Sequence, residues 1–251
     1  MALQEEMELQ GNWLFKYRSY LPLSVFIIGT VLYLRTEIYP VTFFLEETPY
    51  EIYYEMFALG ISLFGLFIRV YTVGHTPKNT SGRNTKSGQI ADTLNTSGIY
   101  SVVRHPLYLG NFFMWLGIAM LSGHAWFIII FVLMFWIYYE RIMYSEEQFL
   151  RKKFGEPYLE WSKDVPAFIP KFGNFKKPAL PFSWKKVLKN ERTGLFELFL
   201  VFCLYDVTGE LIGKANNFNY FLIVMTLLTG VGYFVLRYLS KKTDILNEKN
   251  R

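Results

Sequence analysis

Six apolar runs constrain this chain more than any other feature: residues 20–34, 53–73, 107–121, 125–139, 195–211 and 218–239. A bilayer core about 30 Å thick asks for about 20 largely apolar residues per helix, with tilt and interfacial aromatics giving latitude at the ends. A core helix of a soluble domain needs no runs of this length. The composition agrees, with 52% hydrophobic residues, 24 Phe and 18 Tyr in a chain of 251. The expected fold is all-α, a polytopic integral membrane helical bundle of about six transmembrane helices with added cytosolic helical elements. Residues 1–251 are expected to form one membrane domain. The fifth run carries Glu197, Asp206 and Glu210, so five spans stand as the alternative to six. Acids at membrane depth are costly, and these three are expected to face the bundle interior, a partner or the interface.

Sorting Lys and Arg by side tests this pattern, because short cytoplasmic loops collect them. With the N terminus inside, Arg35 and Lys214 fall outside, and the rest of the 26 basic residues fall inside or at inner helix ends. Both termini and the active site are therefore expected on the cytoplasmic side. The net charge of +5 is then explained by basic inner loops on an anionic leaflet, without a nucleic-acid partner. Residues 1–11 are polar and acidic, and no cleavable signal sequence is expected. Cys203 is the sole cysteine, which excludes an intrachain disulfide.

Two inner segments, 74–105 and 140–194, are long and polar, whereas Ser-Gly-His-Ala alone links the third and fourth runs. A site on the water-exposed side must be built from those two segments. The outer stretch 36–51 is too short for a domain of its own, and no repeat of about 20–50 residues is visible. In the first inner segment, TPKNTSGRNTKSGQ (76–89) reads as a loop; its spacing does not match a phosphate-binding loop and no strand precedes it. The sequons at Asn79 and Asn95 lie on the wrong side for glycosylation in this topology.

The second inner segment continues the fourth run as YYERIMYSEEQFLRKKFGEPYLEW. Glu140, Tyr144 and Glu147 share a face at helical spacing, with Glu146 beside it. Gly155, after Arg151, Lys152 and Lys153, is a natural helix stop, and Pro157 can open a second, short helix. Pro166 and Pro170 limit it, leaving a VPAFIP exit along the membrane surface.

Ahead of the third run stands SVVRHPLYLGNFF (101–113). Pro106 suits the first position of a helix, whose free N–H groups and dipole attract anions, and Arg104 adds a fixed, bidentate positive charge. Gly110 and Gly117 lie seven apart, where a missing side chain lets a helix or a flat ligand approach. The plain alternative is a positive-inside arginine, interfacial His105 and Tyr108, and packing glycines. Glu146 and Glu147 supply the opposite chemistry, accepting from hydroxyls or an amine, or else form a solvated helix face. No metal is expected, since His75, His105 and His124 stand in no H-x-x-x-H arrangement and there is no C-x-x-C. No serine sits in a G-x-S-x-G elbow, so hydrolase chemistry lacks support.

The combination GIYSVVRHPLYLGNFF, a helical hairpin, then ERIMYSEEQFLRKKFGEPYLEWSKDVPAFIP resembles the isoprenylcysteine carboxyl methyltransferase and phospholipid methyltransferase superfamily. The likeness spans 98–170, a motif core followed by a basic linker and a C-terminal helical pair within 171–251. It implies a membrane methyltransferase using S-adenosylmethionine held at the cytosolic face. By position, His105, Tyr108 and Gly110 would shape the cofactor pocket, and Glu146 and Glu147 would hold its polar groups. Arg104 and Glu147 would act at the reacting centre, Arg104 on either the cofactor carboxylate or an anionic substrate. Tyr158 and Trp161 would lie near the lid, with His75 as an upstream contributor. The acceptor is expected to be a phosphate or carboxylate oxygen of a membrane lipid or lipid-like molecule. Bacterial members of the superfamily, and lipid A phosphate methyltransferases among them, are the most similar in the loop and motif, which implies a bacterial inner membrane. An NADPH-dependent reductase of the steroid-reductase type, a small thiol methyltransferase and a non-catalytic membrane scaffold are the alternatives.

Overall fold

The structure, a computed structural model, describes residues 2–39, 48, 50–78, 80, 89–213 and 217–248. The outer stretch 36–51 and the loop 76–89 lie mostly outside the described residues, as do Asn79 and Lys214. Eight α-helices make up the described chain: α1 Leu3–Lys16, α2 Tyr20–Ile38, α3 Glu51–His75, α4 Pro106–Met120, α5 Ala125–Phe154, α6 Glu156–Asp164, α7 Trp184–Gly213 and α8 Tyr220–Lys242. An isolated bridge between Gly98 and Lys176 is the only β-type pairing among the described residues. Three helices, α3, α5 and α8, are long and apolar enough to cross a membrane, and α4 is a shorter apolar helix.

The outward faces show what solvent this protein requires. Ile129, Leu133 and Ile137 on α5 and Leu227, Val231 and Phe234 on α8 are all about half exposed or more. Soluble monomers rarely expose contiguous apolar surface on this scale, and a lipid environment removes the cost. This is an integral membrane protein with an all-helical body.

The inward faces form two clusters. One joins α3, α4 and α7 around Leu59, Leu66, Ile118, Leu198 and Phe202. The other gathers Phe15, Phe127, Phe131, Phe135 and Ile142 between α1 and α5. Along the α3–α4 seam the backbones touch, because the facing residues are small. A Cβ on Gly117 would stand 2.3 Å from the Ala58 carbonyl oxygen, and one on Gly110 would stand 2.8 Å from that of Gly65. Ser62 donates across the same seam to the Met114 carbonyl at 2.8 Å. Close approach through small residues is how helices associate where lipid supplies no hydrophobic drive.

Several boundaries differ from the sequence reading for physical reasons. α1 was not expected, since LQEEMELQGNWLFK is largely polar. It forms by laying Gly11 directly on the Arg141 carbonyl and burying Phe15 against α5. α7 starts at Trp184, well before the apolar run at 195, and its Lys186 reaches back to the residues that follow α3. Its Nζ is buried and donates to the carbonyls of Thr76 at 2.6 Å and Pro77 at 2.9 Å. A cation there satisfies the carbonyls just past the end of α3 and suits the negative end of its dipole.

Of the three acids on α7, Asp206 is buried and accepts the Asn219 amide at 3.0 Å, and Glu210 accepts that of Asn217 at 2.7 Å. Both hydrogen bonds fix the approach to α8. Glu197 is exposed.

Candidate active site

α5 has 30 residues and is about 45 Å long, so about a third of it must project beyond a bilayer core of about 30 Å. The projecting turns carry Glu146 and Glu147. Gly155 ends the helix at φ +60°, a conformation glycine adopts freely, and α6 starts one residue later with Pro157 in its first turn. The chain after α6 then runs back beside the start of α4. The amides of Arg104 and His105 donate to the carbonyls of Pro166 at 2.9 Å and Ala167 at 3.1 Å, and Lys171 donates to Val102 at 2.9 Å. Main-chain hydrogen bonds therefore join the two polar segments.

Their side chains interlock. His105 Nε2 lies 3.1 Å from Glu147 Oε1 and its Nδ1 lies 3.5 Å from Glu146 Oε2. Tyr108 donates to Glu146 Oε1 at 2.8 Å and stacks on His105 with ring centroids 5.7 Å apart. Arg104 forms an ion pair with Glu147, Nε to Oε1 at 3.1 Å, and donates from a terminal nitrogen to the Ser162 carbonyl at 3.2 Å. Burial alone would lower the His105 pKa; hydrogen bonds and charge from Glu146 and Glu147 outweigh it and raise the imidazole above its ordinary value. A carboxylate faces each ring nitrogen, an arrangement that favours the protonated imidazole over the neutral one.

These groups line one end of a cavity of about 310 Å³. Arg104, His105, Tyr108 and Glu146 line it, with Trp161 from α6. Glu147 does not line it and stands behind, bracing Arg104 and His105. Tyr158 is buried beside Glu147, whose charge adds to burial in pushing the phenol up. Gly110 faces α3 and not the cavity, its close neighbours being Arg69 and the Gly65 carbonyl. His75 is also apart: it bonds the Leu180 carbonyl at 2.9 Å and packs edge-on against Phe182. Glu140 is exposed.

The opposite wall was not anticipated. Arg69 on α3 makes a two-pronged ion pair with Glu191 on α7, Nε to Oε2 at 2.8 Å and a terminal nitrogen to Oε1 at 2.9 Å, and its other terminal nitrogen donates to Asn111 Oδ1 at 2.5 Å. Phe15 and Arg18 from the α1 end complete the cavity, the guanidinium lying 4.3 Å from the ring centroid of Phe15. Gln89 also lines it and donates to Ser145, which in turn donates to Asn12 on α1 at 2.7 Å. A lone arginine inside the apolar run 53–73 was the available signal for Arg69, since an ionisable residue at that depth needs a reason. Nothing in the sequence pairs it with Glu191. Among the described residues, no group of three or more His, Cys, Asp or Glu is arranged to hold a metal ion.

Residues 54–157 match the phospholipid methyltransferase family. That segment contains α3, the α4–α5 hairpin and both acids at the cavity end. The chain is 34% identical over 118 residues to a protein-S-isoprenylcysteine O-methyltransferase of Schizosaccharomyces pombe, covering 47% of this chain and 50% of that protein. Through this segment, the chain is similar to isoprenylcysteine and phospholipid methyltransferases. The corresponding Xenopus laevis enzyme is 38% identical over 35% of this chain and 30% of its own. The cobalt-zinc-cadmium resistance protein CzcN of Cupriavidus metallidurans is 33% identical over 36% of this chain and 41% of its own. The chain thus spans half or less of each of these relatives. No solved structure matches it significantly.

Proposed function

We propose that this protein is a membrane methyltransferase that uses S-adenosylmethionine to methylate an oxygen of a lipid or lipid-like molecule, with phosphate or carboxylate as the acceptor group. The observation that carries the reading is the placement of Arg104, His105, Tyr108 and Glu146 around one cavity, within a segment shared with named O-methyltransferases. The donor set fits the cofactor. A carboxylate needs a guanidinium, ribose hydroxyls need an acid acceptor, and a sulfonium favours aromatic faces or negative charge. Arg104, Glu146 and the rings of Tyr108 and Trp161 supply these, and about 310 Å³ lies at the small end of the range of ligand pockets. Bound there, the cofactor supplies an activated methyl group.

The chain's own residues then position and exclude. Tyr108 and His105 hold the Glu146 carboxylate in one orientation, and Glu147 fixes Arg104, whose remaining donors point the anion it binds. An acceptor that is already anionic needs no general base, which agrees with a His105 whose pKa the two carboxylates raise. Catalysis rests on aligning the acceptor oxygen in a site poor in water. Six spans, with α2, α4 and α7 joining the three long apolar helices, and a cytoplasmic site at a bacterial inner membrane complete the reading. Lipid A phosphate is the acceptor we put first, on the resemblance of the loop and motif to lipid A phosphate methyltransferases.

Titrating the detergent-purified protein with S-adenosylmethionine and with NADPH by calorimetry tests this directly. Saturable binding of the methyl donor is expected; saturable NADPH binding in its place would sink the proposal and favour a reductase. Lipid mass spectrometry with and without the gene then identifies the acceptor by a headgroup heavier by one methylene.

A further inference from the structure

The chain from the end of α6 through the first two turns of α7 has a composition unlike its surroundings. From Val165 to Asn190 it carries six lysines and no acid, whereas Glu156, Glu160 and Asp164 precede it and Glu191 follows. Lys171, Lys176, Lys177 and Lys185 are all exposed. Large apolar side chains are interleaved with them and equally uncovered: Ile169 is 75% exposed, Phe172 77% and Trp184 67%.

This segment is anchored along its length. Besides the Arg104, His105 and Lys171 amide bonds already described, Gly98 donates to the Lys176 carbonyl at 3.0 Å, and Lys176 to Ser101 Oγ at 2.8 Å. At the far end Ser183 donates to the Gly74 carbonyl at 2.9 Å, and His75 holds Leu180. The exposed apolar groups therefore stand on a fixed backbone. Phe168 shows where that backbone runs: its ring packs edge-on against Trp136 at 5.6 Å, and Trp136 is 44% exposed on the outward face of α5 beside Leu133 and Ile137. Ile169 thus emerges where the lipid-facing surface of α5 meets the polar end of the bundle. A surface with apolar groups at the bilayer edge and an excess of lysines beside them, Glu248 being drawn in at its far end by Ser183, has the charge and polarity of a headgroup-binding surface for anionic lipid.

We infer that residues 165–185 are a docking surface for the anionic phospholipid headgroups of the leaflet on the site's side, and that docking braces the Arg104–His105 backbone bonded to it. The partner is a lipid surface and not a soluble anion, because the lysines alternate with apolar groups that only a bilayer edge would cover.

Hydrogen exchange read by mass spectrometry on the full chain in nanodiscs tests this without any methyl donor, so it stands or falls independently of the proposed reaction. Three preparations are compared: phosphatidylcholine alone, phosphatidylcholine with phosphatidylglycerol, and phosphatidylcholine with soluble glycerophosphate. Exchange of peptides spanning 98–105 and 165–185 is expected to slow on the order of tenfold in the phosphatidylglycerol discs alone. The same change should vanish in K171Q/K176Q/K177Q/K185Q, whose α3 and α4 amides should retain wild-type protection. An Ile169→Ser/Phe172→Ser variant should weaken it at unchanged charge. Equal exchange in the first two preparations overturns the inference. So does slowing by glycerophosphate, which would mean a site for free phosphate, or slowing that survives the lysine substitutions.

Discussion

Carboxylates occupy both ends of this bundle, and what they face differs. At the site end Glu146, Glu147 and Glu191 face His105, Arg104 and Arg69. At the other end Asp206 and Glu210 accept the backbone amides of Asn219 and Asn217, beside a cavity of about 780 Å³ lined by further acids and, among the described residues, by no lysine or arginine. The first set works through its charge, the second through its lone pairs. An amide of the same shape keeps a lone pair and loses the charge, so a single kind of substitution separates the two.

Glu191→Gln should have the largest effect. It leaves the Arg69 guanidinium without its counter-charge beside a residue only 4% exposed, and removing one partner of a buried pair typically costs about 3–5 kcal/mol. Denaturant titration in mixed micelles measures this, and an unchanged midpoint would show that the pair contributes nothing. Glu147→Gln comes next: turnover should fall roughly 10- to 100-fold with folding retained, as expected from about 1.5–3 kcal/mol for a charge-assisted hydrogen bond. Wild-type turnover would reduce Glu147 to a solvated acid on a helix face.

Glu146→Gln tests the charge on His105. In the wild type, NMR titration should place His105 above the ordinary histidine value, and the substitution should move it down. Because its folded pKa is raised, this cluster's contribution to stability is complete below the unfolded value of about 6.5 and is lost as pH rises through the higher, folded one. A Glu146→Gln variant titrating with the wild type would break the assignment. Asp206→Asn should do least, with a denaturation midpoint close to that of the wild type, since the amide oxygen still accepts from Asn219. A loss as large as that of Glu191→Gln would erase the distinction between the two ends.

Much of the site end was legible in the sequence because it is written in local signals. Pro106 opens α4, Gly155 closes α5, and Arg104, His105, Tyr108, Glu146 and Glu147 lie in two short stretches joined by a tight hairpin. The rest depends on partners far away along the chain. Arg69 and Glu191 are 122 residues apart, and a single acid within a basic stretch gives no sign of its partner. Lys186 is one of several lysines in its stretch, and nothing in the sequence marks it out to hold the Thr76 and Pro77 carbonyls. α1 has too few apolar residues to announce itself, and its place on α5 depends on Gly11 meeting one carbonyl. Gly110 was read as a pocket wall, yet the same lack of a side chain serves the contact with α3.

The strip that follows α6 reads its neighbour through main chain alone. This stretch accepts at Pro166 and Ala167 and donates at Lys171, and because Pro170 has no amide hydrogen, a slip that brought Pro170 into the place of Lys171 would lose the donor. A tie of this kind is indifferent to most side chains and intolerant of a change in length. The side chains of Phe168 and Ile169 take no part in these bonds and set the character of the surface beside the cavity, while a single inserted or deleted residue between Val165 and Lys171 would put its acceptors and its donor out of step with the Val102–His105 backbone.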